Sequence, residues 1–210
     1  STALAEKIGA ETMQTLLDLF FQKALAEIHS LEGTVNQFLG DGFMALFGAP
    51  LAHEDHARRA VLAAVAIRRS TMERPIVLEG NELRLALRMG LHTGLVIVGT
   101  IGDNLRMDYT AVGDTTHVAA RLQQVAEPGD ILASEACIRL AQGLVTTEAL
   151  GPLQLKGKSE AIPVYRVKGI NRQPSVWPGP TGRTLRRFGG REHEMRIMAD
   201  CHSRVSTGMG

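Results

Sequence analysis

The chain has 210 residues, of which 44% are hydrophobic and 21% charged, with a formal net charge of +1 at pH 7. That composition belongs to a globular chain with room for one well-filled domain and some further segment. The near-neutral balance excludes polyanion binding driven by bulk charge, so no nucleic-acid partner is expected, although the basic cluster from Arg183 to Arg191 remains a possible contact point. Cys137 and Cys201 are too few and too far apart in sequence for a disulfide framework or a zinc site, which points to a reducing, cytoplasmic setting. No apolar run reaches the length of a membrane span, and the opening S-T-A-L-A-E-K is unlike a signal peptide. The chain lacks an initiator methionine and reads as a fragment of something longer.

From Glu11 to Leu31, residues Leu16, Leu17, Phe20, Phe21, Ala24 and Ile28 recur at helical spacing on one face, and Gly33 is the expected stop. Two apolar runs, Val35 to Leu39 and Phe43 to Phe47, then flank Gly40-Asp41-Gly42 and predict a β-hairpin with the Asp41 carboxylate at its tip. Glycines on both sides free the backbone for positive φ and leave no side chain to block a phosphate or a metal. Taken alone, G-D-G is an ordinary tight turn; the segments that follow change that reading. Pro50 ends the hairpin. From His53 to Met72 a second helix is expected, with Ala57, Ala60, Val61, Ala64, Val65 and Arg68 in register and Pro75 beyond its end. His53, Glu54, Asp55 and His56 are ligand types, but neighbouring helical positions diverge, so a solvated first turn suited to the helix dipole is the better reading.

Leu83, Leu85, Leu87, Met89 and Leu91 alternate, which predicts a strand. His92-Thr93-Gly94 interrupts it, and Leu95 to Val98 resumes with enough apolar character for a central strand covered on both faces. A turn at Gly99, Gly102 and Asp103-Asn104 followed by Arg106 to Val112 makes Val96 to Val112 a second, longer hairpin. Gly113-Asp114-Thr115 opens a helix to Ala126, with Asp114 or Thr115 as N-cap and Pro128-Gly129 as the stop. Val118, Leu122 and Val125 are expected to face the core. His117 and Arg121, four residues apart, share another face and form either an electropositive pair suited to phosphate oxygens or an exposed pair without a ligand. Ile131 to Ala133 is a short strand, Glu135 to Gln142 a short helix, and Leu153 to Lys158 leads into a last strand, Pro163 to Val167. Lys156 and Lys158 beside a glycine suit either a phosphate contact or a solvated turn. This order of elements predicts an α+β, ferredoxin-like antiparallel sheet with helices on one face.

Five segments carry a resemblance: F-L-G-D-G-F-M-A-L-F-G-A-P from Phe38, E-D-H-A-R-R-A-V-L-A-A from Glu54, R-M-G-L-H-T-G from Arg88, D-Y-T-A-V-G-D-T-T-H-V-A-A-R-L from Asp108, and L-K-G-K from Leu155 with its following V-Y-R-V. In this order the chain resembles the class III nucleotidyl cyclase catalytic domain, the adenylyl and guanylyl cyclase family, over residues 1–170. The resemblance implies the nucleotidyl cyclase fold and conversion of ATP to 3′,5′-cyclic AMP and pyrophosphate, with two Mg2+ or Mn2+ ions held by two aspartates. Asp41 matches the second of these. The first is expected a few residues before Ser1, in a strand this chain does not contain, so the fragment as given is expected to be poorly active.

The other positions carry over singly. Gln37 stands where the family has a purine-reading lysine. Thr110 matches the second purine-reading position and looks like the bacterial, bicarbonate-responsive adenylyl cyclases. His117 replaces the ribose-orienting asparagine, Arg121 matches the arginine that stabilises the transferring phosphate, and Lys156 matches the lysine for the terminal phosphates. In the family the site lies between two domains, which implies a homodimer or pairing with a second cyclase domain, Asp41 coming from one subunit and the remaining residues from the other. Residues 171–187 read as a linker rich in proline, glycine and arginine. Phe188 to Met195 resembles the opening of AAA-like signalling ATPase modules, with a disordered tail as the alternative for 188–210; no phosphate loop follows before Gly210. The departures at Gln37 and His117 keep a second functional reading open, a degenerate cyclase-like module that binds nucleotide or a partner and regulates an attached ATPase.

Overall fold

A computed structural model of the chain describes residues 6, 8–73, 76–78, 81–101, 108–154, 161–171 and 196–198. Two compact units are distinguished, residues 1–173 and 174–210; in the second, only the helical residues 196–198 are described. Pro75, the turn at Gly102 to Asn104, the Lys156-Gly157-Lys158 stretch, Cys201 and most of the linker lie outside the described residues.

Helix α1 (Ala10–Ser30) buries Leu16, Phe20, Ala24 and Ile28, a strict four-residue stripe. Its end differs from the expected glycine stop. The Gly33 amide donates to the Ile28 carbonyl at 2.9 Å and the Glu32 amide to the His29 carbonyl at 3.0 Å, and the left-handed residue is Glu32, at φ 57. This is the two-bond helix ending in which glycine usually holds that position. Gly33 serves packing instead, because a Cβ there would lie 2.6 Å from the Phe47 ring.

Strands β1 (Thr34–Leu39) and β2 (Gly42–Leu46) pair antiparallel as a hairpin. The α1 stripe packs against it through Val35, Phe43, Ala45 and Phe47. Phe21 also meets Phe38 edge-on at 5.3 Å. Helix α2 (His56–Arg68) starts three residues after the expected His53 and passes into a π-helical turn, Arg69–Glu73.

The alternating run resolves into β4 (Asn81–Leu83), paired with β3 (Ile76–Leu78), and β5 (Met89–Leu91). Residues 84–88 are not a strand. Leu85 and Leu87 still face the α1 stripe, but the Leu85 amide donates to the Thr71 carbonyl and the Leu87 carbonyl accepts from the Gly129 amide. Alternation here records one buried side, not a ladder of paired strands. Strands β6 (Ile97–Ile101) and β7 (Asp108–Val112) form the expected long hairpin. They are a two-stranded sheet of their own, and Leu95 and Ile97 are 96% and 76% exposed, so the expectation of a doubly covered central strand is overturned.

Helix α3 spans Asp114–Val125, β8 Ile131–Ser134, helix α4 Glu135–Leu140, β9 Val145–Leu153 and β10 Ile162–Ile170. The four-stranded sheet runs β5-β8-β10-β9, with β5 parallel to β8 and the other pairs antiparallel. Every residue of β8 is buried. Ile131 and Ala133 join Ala57, Val61 and Ala64 of α2 and Cys137 of α4; Leu132 joins Val118, Leu122 and Ala126 at α3. Successive strand residues point to opposite faces, so helices cover both faces of this sheet, not one as expected. On α3, Val125 is 51% exposed and Ala126 takes the expected core position.

The spacing between α3 and the sheet is set at Gly90. A Cβ at that position would lie 2.2 Å from the Ala119 carbonyl oxygen and 2.4 Å from the Gln123 amide nitrogen. Both are helix backbone, which cannot yield as a side-chain end can. Gly90→Ala should therefore cost about 3 kcal/mol by overpacking, read as a lowered denaturant midpoint; an unchanged midpoint would contradict this spacing. Cys137 behaves as a buried hydrophobe, its thiol pushed up to about 11 by burial. In a Cys201→Ser background, iodoacetamide at pH 8 should leave native Cys137 unmodified and label it once the chain unfolds, since the thiolate is the reactive form.

Candidate functional site

Leu39 pairs with Gly42, so the loop carrying Asp41 has only two residues, Gly40 and Asp41. Of the two glycines expected to supply conformational freedom, Gly40 does so, at φ 63, and Gly42 lies within β2. A positive φ at the first loop position is what a two-residue hairpin turn requires. Nothing lies within 4 Å of a Cβ built on Gly40, and Asp41 is exposed. The result is a carboxylate held on a short, open turn. It is a hard oxygen donor of the kind Mg2+ or Mn2+ takes alongside water and phosphate oxygens. Among the described residues no group of three or more His, Cys, Asp or Glu could hold a metal.

Gln37 is exposed on β1 beside the bulge that falls between Val35 and Gln37, and it pairs with Met44. The side-chain oxygen of Asn36, within that bulge, is buried with no partner. Thr110 lies in β7 opposite Gly99. Strand β7 lies against both β1 and α3, so one chain brings the strands of Gln37 and Thr110 and the helix of His117 and Arg121 together. His117 is exposed on α3. One turn on, Arg121 is half-buried, and its Nη1 donates to Gln124 Oε1 at 2.8 Å. Lys156, the last of the expected site residues, lies outside the described residues.

The ligand types ahead of α2 are engaged otherwise. Arg59 donates through Nε to Asp55 Oδ1 at 2.7 Å and through Nη1 to Glu32 Oε2, and His53 Nε2 lies 3.4 Å from the same Glu32 oxygen. The hydrogen bond from Arg59 holds the Asp55 carboxyl below its ordinary value. Asp55 and Arg59 therefore join the end of α1 to the start of α2. His53, expected in a solvated turn, is mostly covered.

Between β5 and β6, the sequence reading takes His92-Thr93-Gly94 as an interruption and Leu95 as part of a strand, and gives none of them a functional role. His92 Nδ1 lies 2.7 Å from Ser134 Oγ at the end of β8, and Thr115 Oγ1 donates to the Leu95 carbonyl at 2.7 Å. Asp114 or Thr115 is the expected N-cap; Gly113 occupies that position, with no side-chain cap hydrogen bond. The sole sequence signal for this strap was the polar interruption His92-Thr93-Gly94 in an apolar stretch.

Residues 1–169 match the family described as the adenylate and guanylate cyclase catalytic domain. Adenylate cyclase 1 of Rhizobium meliloti (strain 1021) is 32% identical over 174 residues, covering 81% of this chain and 26% of that protein. Among solved structures, the adenylyl cyclase CyaB from P. aeruginosa is similar at 30% identity and a TM-score of 0.72, over 81% of this chain and 89% of that one. The guanylyl cyclase Cya2 is similar at 29% identity and a TM-score of 0.76, over 83% and 89%. The chain spans about a quarter of the length of the curated relatives it matches. With this sheet, these hairpins and this match over most of its length, the chain belongs to the adenylate and guanylate cyclase catalytic domain family.

Proposed function

We propose that this domain is an adenylyl cyclase, converting ATP to 3′,5′-cyclic AMP and pyrophosphate. The observation that carries the reading is the Asp41 carboxylate, exposed on a two-residue turn with open space around Gly40. The adenylate cyclases among the relatives and Thr110 support the choice of ATP over GTP. In the reaction the ribose 3′-oxygen forms a bond to the α-phosphorus, the bond from that phosphorus to the oxygen bridging to the β-phosphorus breaks, and the hydroxyl proton leaves to solvent. Divalent ions, when bound, neutralise the triphosphate and lower the 3′-hydroxyl pKa.

The chain's own groups then have distinct tasks. Asp41 holds a cation. Gln37 offers both a donor and an acceptor to a purine edge, and Thr110 a hydroxyl. His117 orients the ribose, and Lys156 binds the terminal phosphates. Arg121 gives up its bond to Gln124 and donates instead to the phosphate on which charge builds, a role suited to a fixed charge with several donors. Phe38, Leu39 and Ile97 on the two hairpins, and Leu95 just before β6, are exposed apolar side chains. They support pairing with a second cyclase domain across the hairpin faces, Asp41 serving one subunit's site and the remaining residues the other's. No helix among the described residues is long and apolar enough to cross a membrane, and a cytoplasmic setting is part of the proposal.

Gln37 and His117 favour a second reading, a catalytically impaired module that binds nucleotide or a partner and regulates an attached AAA-like ATPase begun at 188–210. The full-length protein assayed with Mn2+ should form cyclic AMP in excess of cyclic GMP. Arg121→Ala should lower kcat by about 10²- to 10³-fold and weaken nucleotide binding far less. Tight nucleotide binding with no cyclic product would select the second reading, and equal loss of binding and turnover would reject the role given to Arg121.

A further inference from the structure

The strap at residues 92–95 joins three elements. His92 is tied to Ser134, which is 1% exposed at the end of β8. Thr93 lies beside Cys137 of α4. The Leu95 carbonyl accepts from Thr115 in the first turn of α3, and a Cβ on Gly94 would lie 2.6 Å from the same hydroxyl. The strap then runs directly into β6. The Leu95 and Ile97 side chains at this entry are exposed, and hydrogen bonds at His92 and Leu95 tie the chain where it enters β6. The same ties hold the start of α3 against it. Thr116 closes that turn locally by donating to the Gly113 carbonyl at 2.8 Å, leaving Thr115 to the strap.

We propose that His92, acting through Ser134, is a positioning residue that sets the β6–β7 hairpin relative to the first turns of α3, and with it Thr110 relative to His117 and Arg121. The proposal rests on the nucleotide reading of those three residues. His92 touches no reacting atom in this account. Its effect is on how often the purine-facing strand and the phosphate-facing helix are in register for one nucleotide.

Three variants of the full chain test it: His92→Phe, which keeps a ring and removes Nδ1; Ser134→Ala, which removes the partner; and His92→Asn, whose amide sets a hydrogen-bonding atom near the place of Nδ1. Amide hydrogen exchange is measured by segment, and KM and kcat for ATP are measured in the full-length protein. Loss of one such bond should speed exchange in 97–101 and 108–112 by up to about tenfold, with exchange in β8 and β10 unchanged. KM should rise several-fold with kcat nearly constant, and His92→Asn should recover most of both. Unchanged hairpin exchange, an equal rise in β8 and β10, or no recovery by His92→Asn would overturn the proposal. If the parent protein neither binds nor cyclises nucleotide, its role toward nucleotide falls with that reading, while hairpin exchange still decides whether His92 sets the hairpin.

Discussion

The described structure depends on one strand being buried from both sides. Ile131, Leu132, Ala133 and Ser134 are each nearly or wholly inaccessible, and fully burying a side chain such as Ile131 or Leu132 contributes roughly 1.5–3 kcal/mol. Because β8 alternates its side chains between α2 and α3, these helices are fixed relative to each other through four residues. Gly90 on the neighbouring β5 completes the constraint. With no side chain there, the α3 backbone comes so close to the sheet that its distance is set by backbone contact.

The candidate site inherits that precision unequally. His117 and Arg121 stand on α3 and are therefore referenced to the core. Gln37 and Asp41 stand on the β1–β2 hairpin, which is referenced instead to α1 through Phe43 and its neighbours. Thr110 stands on the β6–β7 hairpin, with polar ties at His92 and Leu95 where the chain enters it. A nucleotide spanning Gln37, Thr110 and Arg121 would bridge three pieces held to the core in different ways. Burial fixes two of them; hydrogen bonds between residues distant in sequence tie the chain at the entry to the third.

Much of this was legible before any coordinates. The α1 stripe and the two hairpins follow from periodicities of 3.6 and 2 and from glycine at the turns. Strand β9 was missed because Thr146-Thr147-Glu148 is polar and Gly151-Pro152 resembles a break, yet β9 pairs with β10 along its length. The run at 84–88 misled in the opposite direction, since alternation marks a covered side and does not supply a pairing partner. Helices on both faces were hidden because β8 has only four residues, too few to show which neighbours its alternate positions meet. For the site, helical spacing predicted the shared face of His117 and Arg121, whereas the roles of Gln37, Thr110 and Lys156 came from motif resemblance. The His92–Ser134 tie spans 42 positions, a separation over which local pattern carries no information.

The central claim is that Asp41 and Arg121 work in one composite site supplied by two copies of the domain. Cyclic AMP formation should be measured for full-length Asp41→Asn and Arg121→Ala proteins, separately and after mixing under conditions that allow subunit exchange. Each alone should be nearly inactive, and the equimolar mixture should recover about a quarter of parent activity, since half the dimers are mixed and each of those holds one intact site. A mixture as inactive as its components would contradict the account.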